Sequence, residues 1–368
     1  MKTKISVRTT LGVGGSTLAL LMASACGGGS GGSDTVSLQY SSGIAAKSSI
    51  GQGIAGWAEA VDAGSKGSVK VKVFHSGSLL SIQDTLDGVK DGRVDIGYIT
   101  DGYTAADLPL WTVADIPFIT DNPEAQINAF QSLYEGNEAF RKEFEKQGLH
   151  VLHFIPVGPS STGAKKSIET LEDFDGLKIR GVGRVAEAEK LVGAEEVFLP
   201  LDQVYETLQR NIVDAWSGIL FDLTIDLGFN ELRDHITDTG VGLYASSAAV
   251  MNLDAWNALS DEQQGALEDQ TEDYYTNSMK LLVAAEAAAC EKAKAAGTVI
   301  TALPEGEVAK WKDIAQAKVI DGWKDDVVKA GTAEKDVDAF LVDYRAAIEK
   351  QAASSDYVNG MKKCIQGS

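Results

Sequence analysis

The order of strand-like and helix-like segments predicts a doubly wound α/β fold in two lobes, and three observations carry that prediction. Short alternating or apolar runs give way repeatedly to runs of helical spacing between 36 and 216, which is the pattern of strands joined by crossover helices. The run 94–100 is largely apolar, as a parallel strand covered on both faces is. Gly158-Pro159 closes a strand at 150–157 and marks a natural crossover into a second lobe.

The elements follow in order. Val36-Ser37-Leu38-Gln39-Tyr40-Ser41 alternates with period two and reads as a strand, and 47–62 has helical spacing through Ile50, Ile54, Trp57 and Val61. A second strand is expected at 69–75, a helix at 82–90 stopped by Gly92, and a third strand at 94–100. Asn122-Pro123 places an N-cap residue before a proline at the first helical position. In the second lobe a strand carries Arg180, followed by a helix at 185–191, a strand at 196–199, a helix at 202–210 and a strand at 212–216. The strand 243–253 returns toward the first lobe. Ser260-Asp261-Glu262-Gln263 is a capping box that opens a helical stretch reaching about 296. At 1.5 Å per residue that is roughly 50 Å, long enough to back both lobes. The expected division is 1–25 as an export signal and 26–35 as a Gly/Ser linker, then 36–157 plus 246–285 as the first lobe. The second lobe is expected to take 158–245 plus 286–368, including the C-terminal helices.

Lys2, Lys4 and Arg8 precede a short, glycine-diluted apolar stretch from Leu11 to Met22, too short to span a bilayer as a helix and typical of an export signal. Ala23-Ser24-Ala25-Cys26 follows, and Cys26 reads as the lipid-modified first residue of a mature lipoprotein on a flexible Gly/Ser leash. The same Ala23-Ser24-Ala25 also satisfies ordinary signal cleavage at that bond. Removing the three signal cations from the formal net charge of −20 leaves −23. Such a surface repels nucleic acid and anionic headgroups, so no nucleic-acid partner is expected and membrane contact is through the anchor alone. An anionic ligand then needs a local positive site, which salt screening beyond roughly 10 Å permits. Cys290 and Cys364 remain as an even pair in an oxidising compartment, either joined as a disulfide or left as two thiols.

Most catalytic constellations fail on inspection. His150 and His153 are three apart in an expected strand and point to opposite faces, which argues against a metal site. Gly181-Val182-Gly183 lacks the third glycine and the downstream acid of a dinucleotide site. Ser160-Ser161-Thr162 has no His and Asp partners placed by motif. No cofactor and no enzymatic activity are expected.

Five segments in order carry a family resemblance: Gly67-Ser68-Val69-Lys70-Val71-Lys72-Val73-Phe74-His75-Ser76-Gly77-Ser78-Leu79, Leu86-Asp87-Gly88-Val89-Lys90-Asp91-Gly92-Arg93-Val94-Asp95, Asp115-Ile116-Pro117-Phe118, Gly176-Leu177-Lys178-Ile179-Arg180 with 201–215 behind it, and Val250-Met251-Asn252 with Trp256 and Leu259. Together they resemble the TRAP-type solute-binding proteins, extracytoplasmic receptors that deliver organic acids to a sodium-coupled transporter with small and large membrane subunits. The resemblance implies a two-lobe periplasmic-binding-protein-like fold of type II character, acting as a monomer, with Arg180 gripping the ligand carboxylate. A guanidinium fork suits that task because it matches a carboxylate with two parallel hydrogen bonds.

Carried over residue by residue, the resemblance puts Ser160 where many members hold a second Arg, which points to a monocarboxylate rather than a diacid. It also places Trp216, Ser217 and Gly218 where ligand contacts often sit. Ser42, Thr100, Asp101, Tyr103 and Tyr244 lie at strand ends or in the loops after them, where open α/β sheets bind ligands. The expected function is capture of a small organic carboxylate between two lobes and its presentation to a TRAP-type permease. A ligand-sensing subunit of a membrane kinase and a secreted enzyme acting on organic acids are the alternatives.

Overall fold

The computed structural model describes residues 35–367; the signal-like segment and Cys26 lie outside the described residues. In chain order come β1 (Val36–Ser41), α1 (Ser49–Gly64), β2 (Val69–Phe74), α2 (Thr85–Lys90), β3 (Ile96–Thr100), α3 (Asp101–Thr104), α4 (Pro123–Gly136), α5 (Glu138–Lys146) and β4 (Leu149–Ile155). Beyond the crossover lie β5 (Ser160–Ala164), β6 (Lys178–Gly181), α6 (Gly183–Lys190), β7 (Glu195–Phe198), α7 (Val204–Gln209), β8 (Ala215–Leu220), α8 (Phe221–Asp226) and β9 (His235–Asp238). The chain returns through β10 (Ser247–Asn252), α9 (Leu253–Asn257), α10 (Asp261–Glu268) and α11 (Thr271–Ala295). It ends with β11 (Val299–Ala302), α12 (Glu305–Lys329), α13 (Glu334–Ala352) and α14 (Gly360–Gln366).

Two sheets give the two lobes. The first has the order β2-β1-β3-β10-β4, with β1 parallel to β2 and β3, and β10 antiparallel between β3 and β4. The second has the order β11-β9-β5-β8-β6-β7. Local chemistry accounts for the helix starts that position these sheets. Ser48 caps α1 by accepting from Gly51 N–H, and Asn122 caps α4 by accepting from Ala125 N–H ahead of Pro123. Ile54, Trp57 and Val61 form the buried stripe of α1, and burying such side chains contributes roughly 1.5–3 kcal/mol each.

The expected single helix over 261–296 is two. α10 stops at Glu268 and α11 restarts at Thr271 with Glu272 and Asp273 in its first turn, acids that favour a helix start over a helix interior. α11 still spans about 37 Å at 1.5 Å per residue and packs along both α1 and α8. The strand expected at 212–216 begins at Ala215. Arg233 donates to the carbonyls of Leu208, Val213 and Asp214, which holds the preceding residues as a turn. The C-terminal helices do not all lie with the second lobe. Trp311 and Val319 of α12 join Phe174 and Ile179 in the second-lobe core, whereas Trp323 and Val327 join Phe130 and Phe154 in the first. α13 then packs on α4. Cys290 and Cys364 are joined, with Cα atoms 5.7 Å apart, tying α14 to α11. Among the described residues no helix is long and apolar enough to cross a membrane.

Candidate functional site

A cleft with about 620 Å³ of atom-free space opens between the two sheets, lined by first-lobe residues such as Ile50, Tyr98 and Thr100 and by second-lobe residues such as Arg180, Val182 and Leu220. β6 sets the position of Arg180, which pairs in register with Val197 of β7 and Trp216 of β8. The side chain is 2% exposed. Its Nε donates to Leu199 O at 3.0 Å, and one terminal nitrogen donates to Ser217 O at 3.3 Å and Gly218 O at 3.5 Å. The second terminal nitrogen takes part in none of these three bonds, and the residue lines the cleft.

Arg180 makes no ion pair among the described residues. Burial lowers its pKa, while the neighbouring Tyr103 and Tyr244 hydroxyls and Glu189 oppose the shift. Glu189 is the nearby acid, but it is fully buried and pushed up to about 8, with the Ser217 hydroxyl and Arg180 only partly offsetting its desolvation. At pH 7 the cation therefore stands largely uncompensated, a state that a bound carboxylate would relieve.

Tyr98 and Ser247 complete the polar rim. Their hydroxyls lie 2.7 Å apart, and Ser247 pairs with Thr100 across the antiparallel β3–β10 ladder. Apolar side chains, among them Ile44, Ile82, Val157 and Leu223, cover the remaining walls. Gly218 lies under Tyr244 with φ of +66°, and a Cβ there would meet the tyrosine ring at 3.2 Å.

Of the residues expected at the site, Arg180, Gly218, Thr100, Tyr103 and Tyr244 line the cleft. Ser217 contributes through its carbonyl. Trp216, expected to face the ligand, is instead a core residue with no exposure. Its indole lies flat across Gly163, where a Cβ would meet it at 2.0 Å, and packs on Phe229 at 5.6 Å. Ser160 and Ser42 do not line the cleft. Ser160 N–H bonds Gly242 O in the crossover, and the Ser42 hydroxyl accepts from Ile44 N–H. Asp101 is buried behind the lining, in contact with Asp115, which does line it. Tyr98 could have been found by stepping back two residues along β3 from Thr100. Ser247 could not, because its place depends on long-range pairing. Among the described residues no group of three or more His, Cys, Asp or Glu could hold a metal ion.

A family model for bacterial extracellular solute-binding proteins of family 7 (DctP) matches residues 40–325. The ectoine-binding periplasmic protein TeaA of Halomonas elongata is 27% identical over 250 residues, 67% of this chain and 73% of that protein. The C4-dicarboxylate-binding periplasmic protein DctP of Rhodobacter capsulatus is 24% identical over 311 residues, 82% of this chain and 92% of that protein. Among solved structures, a TRAP solute-binding protein of Rhodoferax ferrireducens in complex with copurified benzoate superposes with a TM-score of 0.78 at 26% identity, covering 87% of this chain and 99% of that one.

Proposed function

The chain belongs to family 7 of the bacterial extracellular solute-binding proteins, and we propose that it captures a small monocarboxylate with an apolar or aromatic remainder between its lobes and delivers it to a TRAP-type permease. The observation that carries this reading is Arg180, a buried cation that lines an apolar cleft and pairs with no acid among the described residues. A carboxylate there gains two charge-assisted hydrogen bonds in a desolvated setting. Among the described residues lining the cleft Arg180 is the one cation, and Asp115 is the acid. A second ligand carboxylate would thus find no second cation to pair with, which favours a monoacid. The hydroxyls of Tyr98, Tyr103 and Tyr244 can orient the ligand's polar end, while Ile50, Val182 and Leu223 suit an apolar body. Benzoate, found with the Rhodoferax protein, has this chemistry.

Closure would be a hinge motion at the crossovers near Gly158 and between β9 and β10, stabilised by contacts that exist only when ligand bridges the lobes. Export and tethering through Cys26 belong to the same proposal, and comparing detergent partitioning of the native protein with Cys26→Ala tests them. The main test is a thermal-shift screen against a carboxylate library. Ligand at about 100 times its dissociation constant stabilises by about 2.7 kcal/mol. With an unfolding entropy of about 0.7 kcal/mol/K for a chain of this size, that is a Tm rise of about 4 °C. Benzoate-like monoacids should produce it and dicarboxylates should not; the reverse ranking would overturn the proposal.

A further inference from the structure

Asp101 and Asp115 are two acids that the fold buries against each other. Asp101 is 0% exposed and opens α3; Asp115 is 2% exposed and ends the short turn 111–115 before α4. Asp101 Oδ1 accepts from Gly102 N–H at 2.9 Å and from the Thr100 hydroxyl at 3.3 Å. Among the described residues no hydrogen-bond partner reaches Asp101 Oδ2 or Asp115 Oδ1, and the two carboxyls lie close enough for each to shift the other's titration. Desolvation and like-charge repulsion both disfavour ionising two such carboxyls at once.

The pair sits at the seam between the lobes. Asp115 belongs to the first lobe, yet a Cβ added to Gly183, which opens α6 in the second lobe with φ of +64°, would lie 2.3 Å from Asp115 Oδ2. The second lobe thus forms the lid over the acid pair. Arg184 and Glu187 of α6 face Asp115, Tyr344 of α13 faces both acids, and Tyr98 and Tyr244 face Asp101. Arg184 supplies positive charge there, but its guanidinium already pairs with Glu187 at 2.7 Å and Asp326 at 2.8 Å. Among the other described groups named against the pair, none is a cation.

We propose that Asp101 and Asp115 form a proton-binding site at the lobe seam, filled from solvent when the cleft closes on its solute and emptied when it opens. The inference rests on the closure described under Proposed function. With α6 over the pair, as in the structure, burial pushes Asp101 up to about 7 and holds Asp115 well above the ordinary carboxyl range. Lifting α6 away returns Asp115 to water, where a carboxyl ionises near its usual value. Because the closed-state pKa is raised, the proton's contribution to closure is complete below the open-state value. It is lost as pH rises through the closed-state value. Solute affinity should follow the same course.

The test is calorimetry of benzoate binding at about pH 6 in two buffers of different ionisation enthalpy. Proton uptake should approach one per benzoate, and the dissociation constant should rise about tenfold per pH unit between about pH 5 and 7, then level off. Benzoic acid itself ionises below that window, like other carboxyls. Asp115→Asn and Asp101→Asn should each abolish the uptake. Normal benzoate binding by the native protein with no proton uptake would overturn the proposal. A second arm does not need ligand. Gly102→Cys with Val182→Cys bridges the seam, where a Cβ on Gly102 would lie 4.0 Å from Val182 Cγ1. Infrared spectra of this tethered protein, with and without Asp115→Asn, should differ at about pH 6 by one protonated-carboxyl band. The subtraction matters because Glu143, Glu189 and Glu286 are also pushed up to about 8 by burial. A missing band refutes the proton site whatever benzoate does. A band present in a protein that binds no carboxylate would count against the ligand assignment instead.

Discussion

Arg180→Ala offers the most direct test of the cleft, because the structure lets its effects on binding and on folding be separated. The guanidinium bonds three backbone carbonyls and pairs with no acid among the described residues. Its removal therefore leaves Leu199, Ser217 and Gly218 short of donors, at about 1–3 kcal/mol for each unsatisfied buried group, while it relieves the cost of burying an unpaired cation. These oppose each other, so the ligand-free Tm should move by only a few degrees. Binding has no such offset. Losing one partner of a desolvated charge pair costs on the order of 2–5 kcal/mol, or roughly thirty-fold to several-thousand-fold in affinity. Arg180→Lys should recover part, since a point charge cannot reproduce the fork. Calorimetry with benzoate and benzamide on native protein and Arg180→Ala closes a double cycle. Strong non-additivity is expected. If the two changes simply add, the carboxylate does not sit on Arg180 and the reading of the cleft fails.

Gly163→Ala would push a Cβ into the Trp216 indole, and overpacking of this kind costs roughly 1–3 kcal/mol. That lowers Tm by about 1.5–4 °C at the unfolding entropy of such a chain; an unchanged melting scan would mean the indole can move aside. Trp216→Phe should lower stability yet leave benzoate affinity within about threefold by calorimetry, because the ring faces Phe229 and Gly163 rather than the cleft. Replacing both Cys290 and Cys364 by Ser opens a loop with a sequence separation of 74. Chain-entropy reasoning puts the loss at about 4.4 kcal/mol, or about 6 °C in Tm, and a shift below about 1 °C would show that the bridge constrains little. His153 is buried between Trp57 and Tyr274, and burial depresses its pKa to about 3. It contributes stability that is complete above about 6.5 and is lost as pH falls toward 3, by about 1.4 kcal/mol per pH unit. Denaturant titrations of native protein and His153→Phe should diverge in their pH slopes across that interval, and parallel slopes would refute the assignment.

What could be read from the chain was whatever depends on short-range pattern. The alternation in 36–41, the cap and proline at Asn122-Pro123, and the Gly158-Pro159 crossover each act within a few residues, and each appears in the fold. Arg180 could be placed at a strand end beside a turn for the same reason. β5 could not be seen, because Ser160-Ser161-Thr162-Gly163-Ala164 is small, polar and wholly buried. Its strand character comes from β8 and β9 on either side. Trp216 shows a second limit. Position on β8 was predictable, but which way a large ring packs depended on Gly163 making room for it from a neighbouring strand. α12 shows a third, since its two halves bury tryptophans in different lobes, and no periodicity within one helix says which core each half will meet.

The same burial that hides these residues from sequence reasoning makes one positive site workable in a chain of net charge −20. Ionised acids near Arg180 would neutralise it and compete with any carboxylate. The fold instead keeps the closest ones dry. Glu189 is held up to about 8 and Asp101 up to about 7 by desolvation, so near neutral pH they add little opposing field. The remaining negative charge lies mostly on exposed side chains, where salt screens it within roughly 10 Å. Arg180, by contrast, is desolvated and anchored by carbonyls rather than carboxylates, so its attraction for an anion is undiminished inside the cleft. Under the proposed function, selectivity for an acid would follow less from having a cation than from keeping Glu189 and Asp101 desolvated and largely neutral.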